Sequence, residues 1–156
     1  MQRIQAVRMS RRPVPHPKKP LEVLDDLLAK HRQAALGGPQ QAVKYLERTV
    51  ESANSMPNAC KFFLYDLLAE AYAQVDNAAG CQAAVAQGRM HLPAARSEAP
   101  HHLRAALPTL RLYERGIAGA VERGDFAEAL VLCEEALQLG LGGFYAAKAN
   151  SIRRSL

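Results

Sequence analysis

From Leu21 onward the apolar side chains recur every three or four residues, and the period-two alternation of half-buried strands is hard to find. That periodicity confines the fold to packed helices. Leu21, Leu24, Leu28, His31 and Ala35 share one face of a first helix, with Glu22, Asp25, Asp26 and Arg32 largely off it. Gly37-Gly38-Pro39 stops it. Ala42, Val43, Leu46, Val50 and Ala53 line a second helix, which ends at Ser55-Met56-Pro57.

The same spacing predicts a third helix from about Asn58 to Val75, striped by Phe62, Tyr65, Leu68, Ala69 and Tyr72. Asp76-Asn77 supplies a turn and an N-cap, because a short polar side chain accepts from free amides of the following helix. The fourth helix, about Ala78 to Met90, is built on Cys81, Val85 and Gly88, and Pro93 is expected to end it. Residues 93–100 then read as a loop and 98–107 as a short helix broken at Pro108. A further helix follows from about Thr109 to Arg123. Asp125 and Glu128 resemble a capping box ahead of helix 126–139, with Phe126, Ala129, Leu130, Cys133, Ala136 and Leu137 inward and Gly140 as left-handed C-cap. A last helix from about Gly143 to Arg154 carries Phe144, Ala147, Ala149 and Ile152.

Charge is distributed unevenly. The formal net charge is +5, yet residues 1–20 hold Arg3, Arg8, Arg11, Arg12, Lys18 and Lys19 and no acid. The remaining residues therefore sum to −1. The basicity belongs to a tail that also carries Pro13, Pro15, Pro17 and Pro20, a composition expected to be extended or disordered and to contribute almost nothing to folding. Residues 21–156 are long enough, at 49% apolar composition for the whole chain, to bury one core without metal or disulfide. No apolar run reaches the ~18–20 residues that span a bilayer. The tail lacks an export h-region, and prolines follow Ser10-Arg11-Arg12 where a twin-arginine signal needs apolar residues. A cytoplasmic protein is the expectation.

Cys60, Cys81 and Cys133 are odd in number, widely spaced and on apolar positions, so they read as reduced core residues. His91, His101 and His102 lack the i, i+4 spacing that lets two imidazoles share an ion. The glycines of Leu139-Gly140-Leu141-Gly142-Gly143 lack the preceding strand and following lysine of a phosphate loop. No catalytic residue, metal or cofactor is expected, although a cysteine–histidine pair assembled in space stays open as a third class.

Two segments carry a family likeness. Residues Leu110–Leu141 hold Tyr113, then Gly124-Asp125-Phe126 at the turn, then Ala129, Cys133, Ala136 and Leu137. Residues 62–93 repeat the phasing with Tyr65, Leu68, Ala69, Tyr72, Ala78, Cys81, Val85, Gly88 and Pro93. The chain thus resembles a tetratricopeptide-repeat (TPR) protein, with Leu21–Pro57 as a looser third hairpin. The offset between the better hairpins is 48 residues, which places an insertion of about 14 residues around 94–107 relative to a ~34-residue repeat. Gly116 replaces a usual leucine, Ile117 a usual small residue and Leu141 the usual proline.

The resemblance implies antiparallel hairpins stacked as a short right-handed array with a C-terminal capping helix. It also implies a non-enzymatic interaction module, an adaptor, chaperone or regulatory scaffold, holding a peptide or helical segment in a concave groove. Carried over position by position, the groove contains Phe63, Asp66, Glu70, Ala73 and Gln74, and Arg111, Glu114, Ala118, Val121 and Glu122. Acids stand where the family's basic carboxylate clamp would be, so the expected partner is basic or amphipathic, and a homodimer is allowed. The alternative is a nucleic-acid-associated regulator whose six tail cations contact phosphate.

Overall fold

The computed structural model describes residues 20–156, and every regular element among them is helical. The first hairpin is α1 (Pro20–Ala35) with α2 (Pro39–Glu51), and the second is α3 (Asn58–Gln74) with α4 (Ala78–Glu98). A short α5 (Pro100–Ala106) leads to the third hairpin, α6 (Leu112–Glu122) with α7 (Phe126–Leu139), and α8 (Gly143–Arg153) packs on α7. Single 3-10 turns occupy Ala53–Ser55 and Leu107–Thr109. The all-α expectation holds. The tail, with Arg3, Arg8, Arg11, Arg12, Lys18 and Lys19, lies outside the described residues.

Three-residue turns close all three hairpins, and each contains one residue at positive φ: Gly38 (104°), Asp76 (56°) and Gly124 (75°). The second and third turns are built alike. Asn77 N–H donates to Tyr72 O at 2.9 Å, and Asp125 N–H donates to Ala120 O at 2.8 Å. Asn77 Oδ1 then accepts from Gly80 N at 2.8 Å and Asp125 Oδ1 from Glu128 N at 3.1 Å, so both caps form. Glu128 does not reach back, however; its carboxylate binds Arg89 instead. Gly140 (φ 92°) caps α7 as expected.

The core runs along α3, which packs against α1, α2, α4 and α6. Its sequence is apolar on nearly all sides, as a helix enclosed by neighbours must be. The expected stripe is therefore too narrow: Ala59, Cys60, Phe63, Leu64 and Ala71 are buried with Phe62, Leu68 and Ala69, while Tyr65 and Tyr72 are only half-buried.

Pro93 does not end α4. It removes one amide, but Leu92, Ala95 and Ala99 are buried on either side, and that packing carries the helix to Glu98. The predicted loop at 93–100 is thus mostly helix. In α1 the buried face is Leu24 and Leu27, with Ala35 exposed. In α7 Leu132 is buried and Leu137 exposed, and in α8 Tyr145, Ala149 and Ile152 face inward while Phe144 is 64% exposed.

Two glycines set how closely the hairpins approach. A Cβ at Gly88 of α4 would collide with Leu112 of α6 and lie 3.3 Å from Tyr65 Cβ of α3. A Cβ at Gly116 would lie 2.9 Å from Val85 and 3.1 Å from Leu132. Leu112 is fully buried. We expect Gly88→Ala to destabilise the protein by about 1–3 kcal/mol, as overpacking does, in urea denaturation followed by circular dichroism. Leu68→Ala should cost about 2–5 kcal/mol by leaving a cavity. Phe144→Ala should stay within about 0.5 kcal/mol in the same assay.

Candidate functional site

The residues expected to line a groove separate into buried, paired and open groups. Phe63 is buried at 4% exposure and Asp66 at 7%, so neither offers surface to a partner. Asp66 faces α6. Its Oδ1 accepts the backbone amide of Arg111 at 2.9 Å and that of Leu112 at 2.8 Å. Arg111, the N-cap residue of α6, supplies no side-chain cap, so a carboxylate from the preceding hairpin caps this helix. Burial pushes Asp66 up to about 6, and the two amides partly oppose that rise by favouring the ionised form.

Glu70 is also engaged. It accepts from Arg115 Nε at 2.6 Å and from Gln74 Nε2 at 3.2 Å, and the Arg115 bond holds its carboxyl below the usual range. Glu114 accepts from Arg111 at 2.6 Å. The four acids expected to create one negative face are thereby reduced to Glu122, because Asp66 is buried and Glu70 and Glu114 have guanidinium partners. Val121 is half-buried against the core.

Ala73, Ala118 and Glu122 do come together, around a cleft of about 660 Å³ between the second and third hairpins. The cleft opens at their turns. Small, mostly apolar residues line it: Ala78, Cys81, Val85, Ala86, Gly116 and Gly119, of which Cys81, Val85 and Gly116 are buried. Asp76, Glu122 and Asp125 stand at its edge, with Arg123 folded over Gly119. Arg115 and Glu128 also line it, but each is bonded to a charge of opposite sign, Glu70 and Arg89 respectively. Position-by-position transfer omitted Asp76, Gln82 and Asp125 because it considered only the first helix of each hairpin. The clustering of small residues on both helices of the facing hairpins was the available signal.

Arg89 reaches from α4 across to α7, to Glu135 (Nε to Oε2, 2.9 Å) and to Glu128 at the cleft (2.8 Å). Tyr113 donates to Glu135 at 3.2 Å, tying α6 into the same network. His91 stacks on Tyr65 with ring centroids 5.9 Å apart, and His102 Nε2 lies 3.6 Å from Asp25 of α1. Among the described residues no cluster of three histidines, cysteines or carboxylates could hold a metal ion. The three cysteines are buried, and loss of solvation raises all three thiols, Cys60 to about 11. No described helix is long and apolar enough to cross a membrane.

No family model matches this chain, and no curated protein or solved structure matches it.

The Asp66 cap is testable by its pH dependence. Its folded value lies above the ordinary carboxyl value of 3.8, so the native state binds the proton more tightly than the unfolded chain. The group therefore favours folding most below about pH 4 and progressively less as pH rises through 6. Asp66→Asn keeps an acceptor oxygen and cannot titrate. The stability of the native protein relative to this variant should fall by about 1–3 kcal/mol between pH 4 and 7 in urea titrations. Asp66→Ala, which orphans two amides, should lose about 1–3 kcal/mol at pH 7.

Proposed function

We propose that this chain is a non-enzymatic protein–protein interaction module of TPR-like hairpins, serving as an adaptor, chaperone or regulatory scaffold. It takes a basic or amphipathic peptide segment. The observation that carries this reading is the cleft between the second and third hairpins: a lining of small side chains with Asp76, Glu122 and Asp125 at its edge. Small residues let a ligand backbone or an alanine-sized side chain approach closely, and the carboxylates attract and orient lysine or arginine at the periphery. The order of the hairpins supports the same reading, since α3 touches α1 and α6, and α6 also touches α4, as successive hairpins do in a stacked array.

The binding surface is displaced from the one inferred by residue transfer. It lies at the hairpin turns, and it uses the first turns of α4 and α7 as well as α3 and α6. Glu70 and Glu114 are poor probes of it because reversing either one breaks an internal ion pair. Asp76 and Glu122 are suitable. Asn tolerates the left-handed backbone at position 76, and Glu122 is exposed.

The test uses a labelled amphipathic peptide of about 15 residues with lysine and arginine on one face and alanine and leucine on the other. Fluorescence anisotropy at low salt should show binding that weakens about tenfold or more with Asp76→Asn and Glu122→Lys combined. Thermal stability should change by less than about 1 kcal/mol. Equal affinity for the native and substituted proteins would place the partner surface elsewhere.

A further inference from the structure

We propose that residues 3–19 of this chain act as an internal occupant of the cleft, competing with a basic partner for the same edge. This inference rests on the reading of the cleft as the binding surface and goes beyond it by naming a regulator. Charge complementarity is the first support. The segment carries Arg3, Arg8, Arg11, Arg12, Lys18 and Lys19 with no acid, matching the basic chemistry that the cleft selects. Asp76, Glu122 and Asp125 at the edge have no ion-pair partner among the described residues, whereas Glu70, Glu114 and Glu128 are already joined to arginines.

Length is the second support. The hairpin turn between α1 and α2 and the return into α3 make α1 and α3 run the same way, so Pro20 sits at the end of the bundle opposite Asp76. The 17 residues of α3 make that separation about 25 Å along the axis. Nineteen residues can extend about 60 Å, enough to cover the distance and leave half the segment for contact. A tether of this length gives an effective concentration on the order of 1 mM. Even an intrinsic dissociation constant of about 0.3 mM would then leave the cleft mostly occupied. A free partner would bind several-fold more weakly in consequence.

The experiment uses the full chain with a nitroxide at Ser10→Cys. The three native thiols are buried and raised, so they react slowly with the label. Paramagnetic broadening should concentrate on the amides of Gly80, Gly119 and Glu128. It should vanish in about 0.5 M salt, where screening is short-ranged, and in the Asp76→Asn, Glu122→Gln variant. Even broadening across the helices, or none at these amides, overturns the proposal. Titration with the amphipathic peptide separates this failure from failure of the cleft itself. A peptide that shifts Gly80 and Gly119 while the nitroxide leaves them unaffected refutes the tail's role alone. If both hold, replacing the six tail cations by glutamine should tighten peptide binding at least threefold at low salt.

Discussion

A buried carboxylate ties the second hairpin to the start of the third. Asp66 leaves the middle of α3 and accepts the first amides of α6, which has no cap in its own sequence. Helix starts expose unpaired amides and the positive end of the backbone dipole, so an ionised oxygen there is favoured. The same oxygen lies in a setting that penalises charge, which is why the carboxyl titrates near 6 and not near 4. This contact fixes where α6 begins and how it is set against α3. The placement of Arg111, Glu114 and Arg115 follows from it.

Around that contact the hairpins are held by charge at the edges and by missing side chains in the middle. Glu70–Arg115 spans α3 and α6, and Arg89 spans α4 and α7 through Glu128 and Glu135. These guanidinium–carboxylate contacts are partly exposed, so their worth lies more in orientation than in stability. Gly88 and Gly116 remove the Cβ atoms that would hold α4 and α6 apart. Gly116 also lines the cleft. The acids near the turns that have no ion-pair partner among the described residues, Asp76, Glu122 and Asp125, then stand beside Arg123 in its lining.

Tail and body carry complementary information. The described helices bury the three thiols and the rings of Phe62, Phe63, Tyr113 and Tyr145 in one core, while the basic excess belongs to the first twenty residues. A body near neutrality can still present carboxylates at one edge when arginines beside them, Arg89, Arg111 and Arg115, are held in ion pairs, although Arg123 also lines the cleft. Net charge over the whole chain conceals this, because the sum takes no account of which charges are already matched.

Much of the fold was legible in the residues themselves. Local chemistry determined the all-helical class, the three hairpin turns, the caps at Asn77, Asp125 and Gly140, and the bounds of α7, because each depends on residues within a few positions of one another. Only the tertiary structure decided which side of each helix is inside. Phe63 and Asp66 read as groove residues when α3 is considered one face at a time, but four neighbouring helices enclose it. Pro93 reads as a stop, but buried neighbours outweigh the lost hydrogen bond and carry α4 onward. The partners of Asp66, Glu70 and Arg89 lie about 40 or more residues away, a separation that no local period encodes. Sequence spacing sets which residues form a helix; burial and charge matching depend on which other helices come to rest against it.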